Sequence, residues 1–133
     1  MKKTAVLPAL LALGFSVCVI AQTEADYSGW MKDIAQTKQK VAKGVASKSA
    51  DVADNAEHLA GLFKQVTAFW QGRNASDAVG IAKNAETASL DLAAAAKAGD
   101  DAKEQASLMT INGSCGQCHM AHRGGAPGNF TIK

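Results

Sequence analysis

Cys115, Cys118 and His119 form a C-x-x-C-H pentapeptide in this sequence. Two thiols at this spacing can each form a thioether bond with a vinyl group of one porphyrin, and the adjacent imidazole can then bind the iron. On a helix the three side chains lie at positions i, i+3 and i+4, on the same face. The motif therefore predicts one covalently bound haem c, with His119 as the proximal iron ligand.

Two other kinds of site also use a C-x-x-C pair. A thioredoxin-like redox pair requires a βαβ context, which the helical pattern of this chain does not offer. A zinc site requires a second pair of Cys or His residues at suitable spacing, and the sequence has no such pair. Covalent haem attachment is therefore the favoured interpretation.

Residues 1–21 have the pattern of a secretory signal peptide. Lys2 and Lys3 precede an apolar run that ends at Ile20, and small residues stand before the expected cleavage site at Gln22. The run is short for a membrane span, so we expect removal of residues 1–21 and no stable membrane insertion of the mature protein. The segment predicts periplasmic localisation, which agrees with c-type haem attachment outside the cytoplasm.

The whole chain of 133 residues carries 14 Lys and Arg side chains against 12 Asp and Glu. Removal of the signal peptide takes away Lys2 and Lys3, so the mature chain has no basic excess. Nucleic-acid-binding proteins commonly show such an excess, and we expect no nucleic-acid partner. The length predicts one small domain, 22–123, followed by a non-helical tail, 124–133.

From Glu24 to Arg123 the sequence is rich in Ala and Lys, contains no proline, and repeats apolar residues at three- and four-residue spacing. This periodicity predicts four helices, the last with Ala102, Ala106 and Met109 on its buried face. The breaks between them are short, so successive helices must run in opposite directions. The predicted fold is all-α: an antiparallel up-down-up-down four-helix bundle with one covalently bound haem c.

His119 falls near the end of the fourth helix, which places the haem at one end of the bundle. That end also receives the start of the first helix, the end of the second and the start of the third. Most aromatic residues fall there, which favours a large flat ligand. The candidate pocket residues are Tyr27, Trp30, Phe63, Val66 and Trp70.

Met and His are the realistic sixth ligands of such an iron. Met31 lies in the first turns of the first helix, level with His119 on the antiparallel fourth helix. The other candidates lie too far along the bundle or beside His119 on its own helix: His58, Met109, Met120 and His122. Met31 is therefore the predicted sixth ligand; the alternative is that its thioether only packs over an open iron.

These residues resemble the cytochrome c′ family, including its low-spin methionine-ligated members. The similarity rests on the C-x-x-C-H-x-x-x-R pattern ending at Arg123, on four helices, and on the segment from Tyr27 to Lys32. It implies thioethers at Cys115 and Cys118, proximal ligation by His119, and a distal position at Met31. It also implies that Arg123 lies beside the proximal imidazole and a haem propionate. A short link between helices two and three and the 124–133 tail depart from the family pattern.

The expected function is one-electron transfer in the periplasm through a haem ligated by His119 and Met31, with other redox proteins as partners and without enzymatic activity. The alternative is a five-coordinate, high-spin haem that binds NO or CO. That alternative requires Met31 to be off the iron and the distal face to be closed by Trp30, Phe63 or Val66. A homodimer is a possible assembly that the sequence does not decide.

Overall fold

The computed structural model describes residues 22–133, and the predicted signal peptide lies outside them. The helices are α1 (Glu24–Ser47), α2 (Val52–Gly72), α3 (Ser76–Ala98) and α4 (Asp101–His122). Each helix packs against the next one in the chain, which confirms the predicted four-helix bundle. Within residues 22–133, no helix combines the length and apolar character that a bilayer span requires.

Local capping fixes where several helices begin and end. Before α1, the Thr23 hydroxyl accepts a hydrogen bond from the Asp26 backbone N–H at 3.1 Å, and the Asp26 carboxylate accepts one from the Thr23 N–H at 2.9 Å. This reciprocal arrangement satisfies two donors that the first turn leaves free. Helix α1 ends at a left-handed Lys48 and α3 at a left-handed Gly99, so the chain reverses direction within a few residues.

Ion pairs between helix ends agree with the antiparallel order. Arg73, just after α2, pairs with Glu24 at the start of α1, with the nitrogen and oxygen 2.8 Å apart. Lys48, just after α1, pairs with Asp101 at the start of α4. The second pair shows that α1 and α4 lie side by side in opposite directions, and it gives the register of residues along them.

The core contains most of the apolar positions predicted for α1, α2 and α3, with Val41, Leu59 and Leu92 fully buried. The predicted buried face of α4 is wrong over its first half. Ala102, Ala106 and Met109 are exposed, and the Met109 side chain is 72 % accessible. Helix α4 instead buries the residues of another face: Glu104, Ile111 and Ser114.

The tail after α4 forms a β-hairpin for which the sequence indicated no regular element. Strand β1 (Arg123–Ala126) pairs antiparallel with β2 (Asn129–Ile132). Gly125 adopts φ +80°, and a Cβ atom there would lie 2.2 Å from the Asn129 carbonyl oxygen. Beyond β2, the Lys133 N–H donates to the His122 carbonyl at 2.9 Å and ties the hairpin to the end of α4.

Candidate haem site

A cavity of about 830 Å³ lies between α1 and α4. These two helices contact each other far less than the other neighbouring pairs do. The cavity volume is in the range typical of sites for cofactors and small ligands. The open seam between the first and last helices is therefore the place where the fold can hold a large group.

The α4 wall of the cavity carries the C-x-x-C-H motif. Cys115, Cys118 and His119 all line the cavity and are partly buried, and both thiols are free. Burial raises the pKa of both cysteines, so their thiols stay protonated at neutral pH. Burial, followed by the charges of Arg123 and Lys38, lowers the pKa of His119. The imidazole is therefore held in its neutral form, which is the form that binds iron.

The α1 wall carries Met31, which also lines the cavity and packs partly buried against the core. The pair between Lys48 and Asp101 shows the register of the two helices. Met31 precedes Lys48 on α1 by the same number of residues as Cys118 follows Asp101 on α4. Because both helices rise by the same distance per residue, Met31 lies level with Cys118 and His119. The structure thus places the thioether and the imidazole on opposite helices of one cavity.

Apolar side chains form the back of the cavity. Phe63 and Val66 come from α2, Ile81 and Ala82 from α3, and Ile34 from α1. All except Ile81 are buried. A wall of this composition suits the face of a porphyrin ring, because burial of the apolar ring against apolar side chains is favourable. Of the predicted pocket residues, Phe63 and Val66 are thus brought to the cavity.

Tyr27 lines the cavity at its hairpin end, and its ring centroid lies 4.5 Å from that of Phe69. Burial, with a smaller contribution from Cys118, raises the pKa of Tyr27 to about 12. The phenol therefore remains a neutral hydrogen-bond donor. Trp70 is buried behind Tyr27, with ring centroids 5.7 Å apart, and Trp30 packs partly buried against the core. The structure places these two tryptophans next to the site and not on the cavity surface.

His122 is a cavity residue that the sequence did not identify as part of the site. Its Nε2 lies 2.8 Å from a carboxylate oxygen of Asp77 on α3, and its ring centroid lies 4.8 Å from that of Trp70. His122 stands one helical turn after His119, and this spacing could have indicated that both side chains lie on the cavity side of α4. Its imidazole is held between α2 and α3 and fixes the end of α4 that carries the motif.

Arg123 and the hairpin complete the cavity at this end. The Arg123 guanidinium lies 4.3 Å from the centroid of the Phe130 ring, and both residues line the cavity together with Thr131 and Ile132. The charge of Arg123 reaches His119, as its effect on the pKa of that imidazole indicates. Arg123 was predicted as a site residue, but the contribution of Phe130, Thr131 and Ile132 could not be predicted, because these residues have no helical periodicity with the motif.

Lys32 and Lys38 also line the cavity from α1. Neither was singled out in the sequence, although Lys38 stands two turns after Met31 on the same helix. The charge of Lys38 lowers the pKa of both Cys115 and His119, although burial raises the pKa of Cys115 overall. The mouth of the cavity is therefore electropositive.

The side chains around the cavity are of the types that hold a covalently attached haem. Two thiols, an imidazole and a thioether line a cavity of about 830 Å³. In residues 22–133, His, Cys, Asp and Glu side chains form no group of three or more placed to hold an ion. No protein-family model, curated protein or solved structure matches this chain.

Proposed function

We propose that this protein is an exported c-type cytochrome of the cytochrome c′ type that transfers single electrons between redox proteins of the periplasm. The single observation that carries the proposal is the cavity between α1 and α4. It brings Met31 from one helix opposite Cys115, Cys118 and His119 from the other.

Cys115 and Cys118 would hold the haem covalently. Each thiol would add across a vinyl group of the haem, with its sulfur bonding to one vinyl carbon and its proton passing to the other. The raised pKa values of both cysteines keep these protons in place before attachment. No external oxidant is required for this addition.

His119 and Met31 would both hold the iron. When bound, the haem supplies a one-electron Fe(III)/Fe(II) couple. Each ligand would be held on a helix of the bundle, and a thioether ligand would favour the reduced iron. Phe63 and Val66 are buried and would keep water away from the ligands.

Two measurements on the purified mature protein test this proposal. We expect a mass that exceeds the polypeptide by one haem and an absorption spectrum with sharp α and β bands after reduction. A mass equal to that of the bare polypeptide would overturn the proposal. The matched control is a Cys115→Ala variant, in which only one thioether bond to the haem can form.

A second candidate function is binding of NO or CO at a five-coordinate iron. The specific observation in its favour is the buried apolar pair Phe63 and Val66, which could close a distal pocket if Met31 did not bind. A broad, merged band in the reduced spectrum and rapid CO binding by the wild-type protein would favour this candidate over electron transfer.

A further inference from the structure

We propose that Lys38 is the anchoring cation for a propionate carboxylate of the bound haem. This inference rests on the proposed function, since it assigns a residue to the cofactor of that same site. It concerns α1, where neither the motif nor the family resemblance indicates a residue for this role.

The charges around the cavity are unbalanced. Its charged side chains are Glu24, Lys32, Lys38 and Arg123, apart from His119 and His122. Glu24 is the one carboxylate among the residues that line it, and it is already paired with Arg73 at 2.8 Å. In the described part of the chain, Lys32, Lys38 and Arg123 form no salt bridge within 4.0 Å. The cavity is therefore lined by more basic than acidic side chains.

Lys38 differs from the other two cations in its burial. Lys32 and Arg123 are exposed, and Arg123 has the Phe130 ring against its guanidinium. Lys38 is partly buried. The Lys38 side chain is thus more enclosed than those of the other two cations, so a carboxylate paired with it would be less screened by solvent.

Lys38 shares its cavity with the motif on α4. Lys38 lines the cavity from α1, and Cys115 and His119 line it from α4. A carboxylate on a group attached at Cys115 would therefore occupy the same cavity as the Lys38 side chain.

The test compares Lys38→Gln with Lys40→Gln. Lys40 is exposed on α1 and does not line the cavity, so it controls for loss of one positive charge on this helix. The mass of each variant is measured first. A variant that retains one haem per chain has intact attachment. If the wild type also carries no haem, the proposed function itself is wrong, and not this assignment alone.

The reduction potential is then measured from pH 5 to pH 9 for the wild type and both variants. Loss of the cation should lower the potential of Lys38→Gln, since a nearby positive charge favours the reduced iron. It should also add a pH-dependent step, because a partly buried propionate without its cation binds a proton more readily. Lys40→Gln should follow the wild type.

Equal potentials and pH profiles in the two variants would overturn the assignment. Lys38 could instead pair with a free anion from solution. Inorganic phosphate, added at constant ionic strength, is the probe for this alternative. If phosphate shifts the potential of the wild type and Lys38→Gln loses that response, Lys38 holds a free anion and the propionate assignment is wrong.

Discussion

The indole ring of Trp70 packs against the imidazole ring of His122, with their centroids 4.8 Å apart and their planes inclined by 48°. Trp70 is 2 % exposed, and its Nε1–H has no hydrogen-bond partner within 3.5 Å among residues 22–133, although it lies near enough to the Tyr27 hydroxyl to lower the pKa of that phenol slightly. His122 is meanwhile held by Asp77. The end of α4 is thus fixed on one side by an aromatic contact and on the other by a charged hydrogen bond.

The first prediction concerns the unpaired indole N–H. Trp70→Phe removes a buried donor whose desolvation costs roughly 1–3 kcal/mol, which offsets much of the lost apolar contact. We expect the free energy of unfolding to change by less than about 1 kcal/mol. Trp70→Ala should cost about 3–5 kcal/mol, because it leaves a cavity. Urea denaturation of the haem-loaded variants measures both, and equal losses would contradict the expectation.

The second prediction concerns the sixth iron ligand. Met31→Ala should make the reduced haem high-spin, allow rapid CO binding and lower the reduction potential, because a soft thioether ligand is lost. Helix α1 should persist, since alanine is the better helix former. The matched control is Met109→Ala, which removes an exposed thioether from α4 and should leave the spectrum unchanged. An unchanged reduced spectrum in Met31→Ala would favour gas binding.

The third prediction concerns the hairpin. Gly125→Ala should break the pairing of β1 with β2, because its Cβ would collide with the Asn129 carbonyl and its φ is +80°. Gly128 has φ +87° but open space around it, so Gly128→Ala should cost only backbone strain, about 1–2 kcal/mol. Amide NMR signals of residues 123–132 report the pairing. Equal disruption by both variants would contradict the steric argument.

The fourth prediction concerns pH. The Thr23 backbone N–H, and then the Thr23 hydroxyl, hold the pKa of Asp26 below its ordinary value of 3.8. A carboxylate with a depressed folded-state pKa stabilises the fold above its unfolded pKa, and this contribution is lost as pH falls through the folded value. Asp26→Asn should therefore be less stable than the wild type at pH 6, and the difference should shrink below pH 3.8.

Urea denaturation at both pH values measures the effect of Asp26. Thr23→Ala is the companion variant, because it removes the hydroxyl that caps α1 and should cost about 1 kcal/mol at pH 6. A stability difference between Asp26→Asn and the wild type that stays constant down to pH 2 would contradict the capping argument.

Periodicity was sufficient to predict the helices, but it was insufficient for the orientation of α4. The first three helices bury regular apolar rows, so hydrophobic spacing identifies their inner faces. Helix α4 buries Glu104 and Ser114 next to Ile111, and the row containing Met109 therefore looked more buried than it is. Polar residues on the inner face of a helix interrupt the apolar periodicity from which its buried face is predicted.

The candidate site was predicted in part for similar reasons. Local spacing identifies Cys115, Cys118 and His119, and helix direction then suggests Met31. The contribution of Lys38 depends on the rotation of α1, and that of Phe130 depends on a hairpin built around Gly125 and Gly128. These are tertiary relationships between distant segments, for which one sequence contains no periodic pattern.

The scarcity of contacts between α1 and α4 also bears on how the protein opens. The cavity walls are the first and last helices of the bundle. Packing α1 against α4 therefore joins distant parts of the chain and has a cost in loop-closure entropy. Helix α1 is held mainly by α2, whereas α3 packs closely on both α2 and α4. We therefore expect amide hydrogens of α1 to exchange through partial unfolding events that leave α2 and α3 protected.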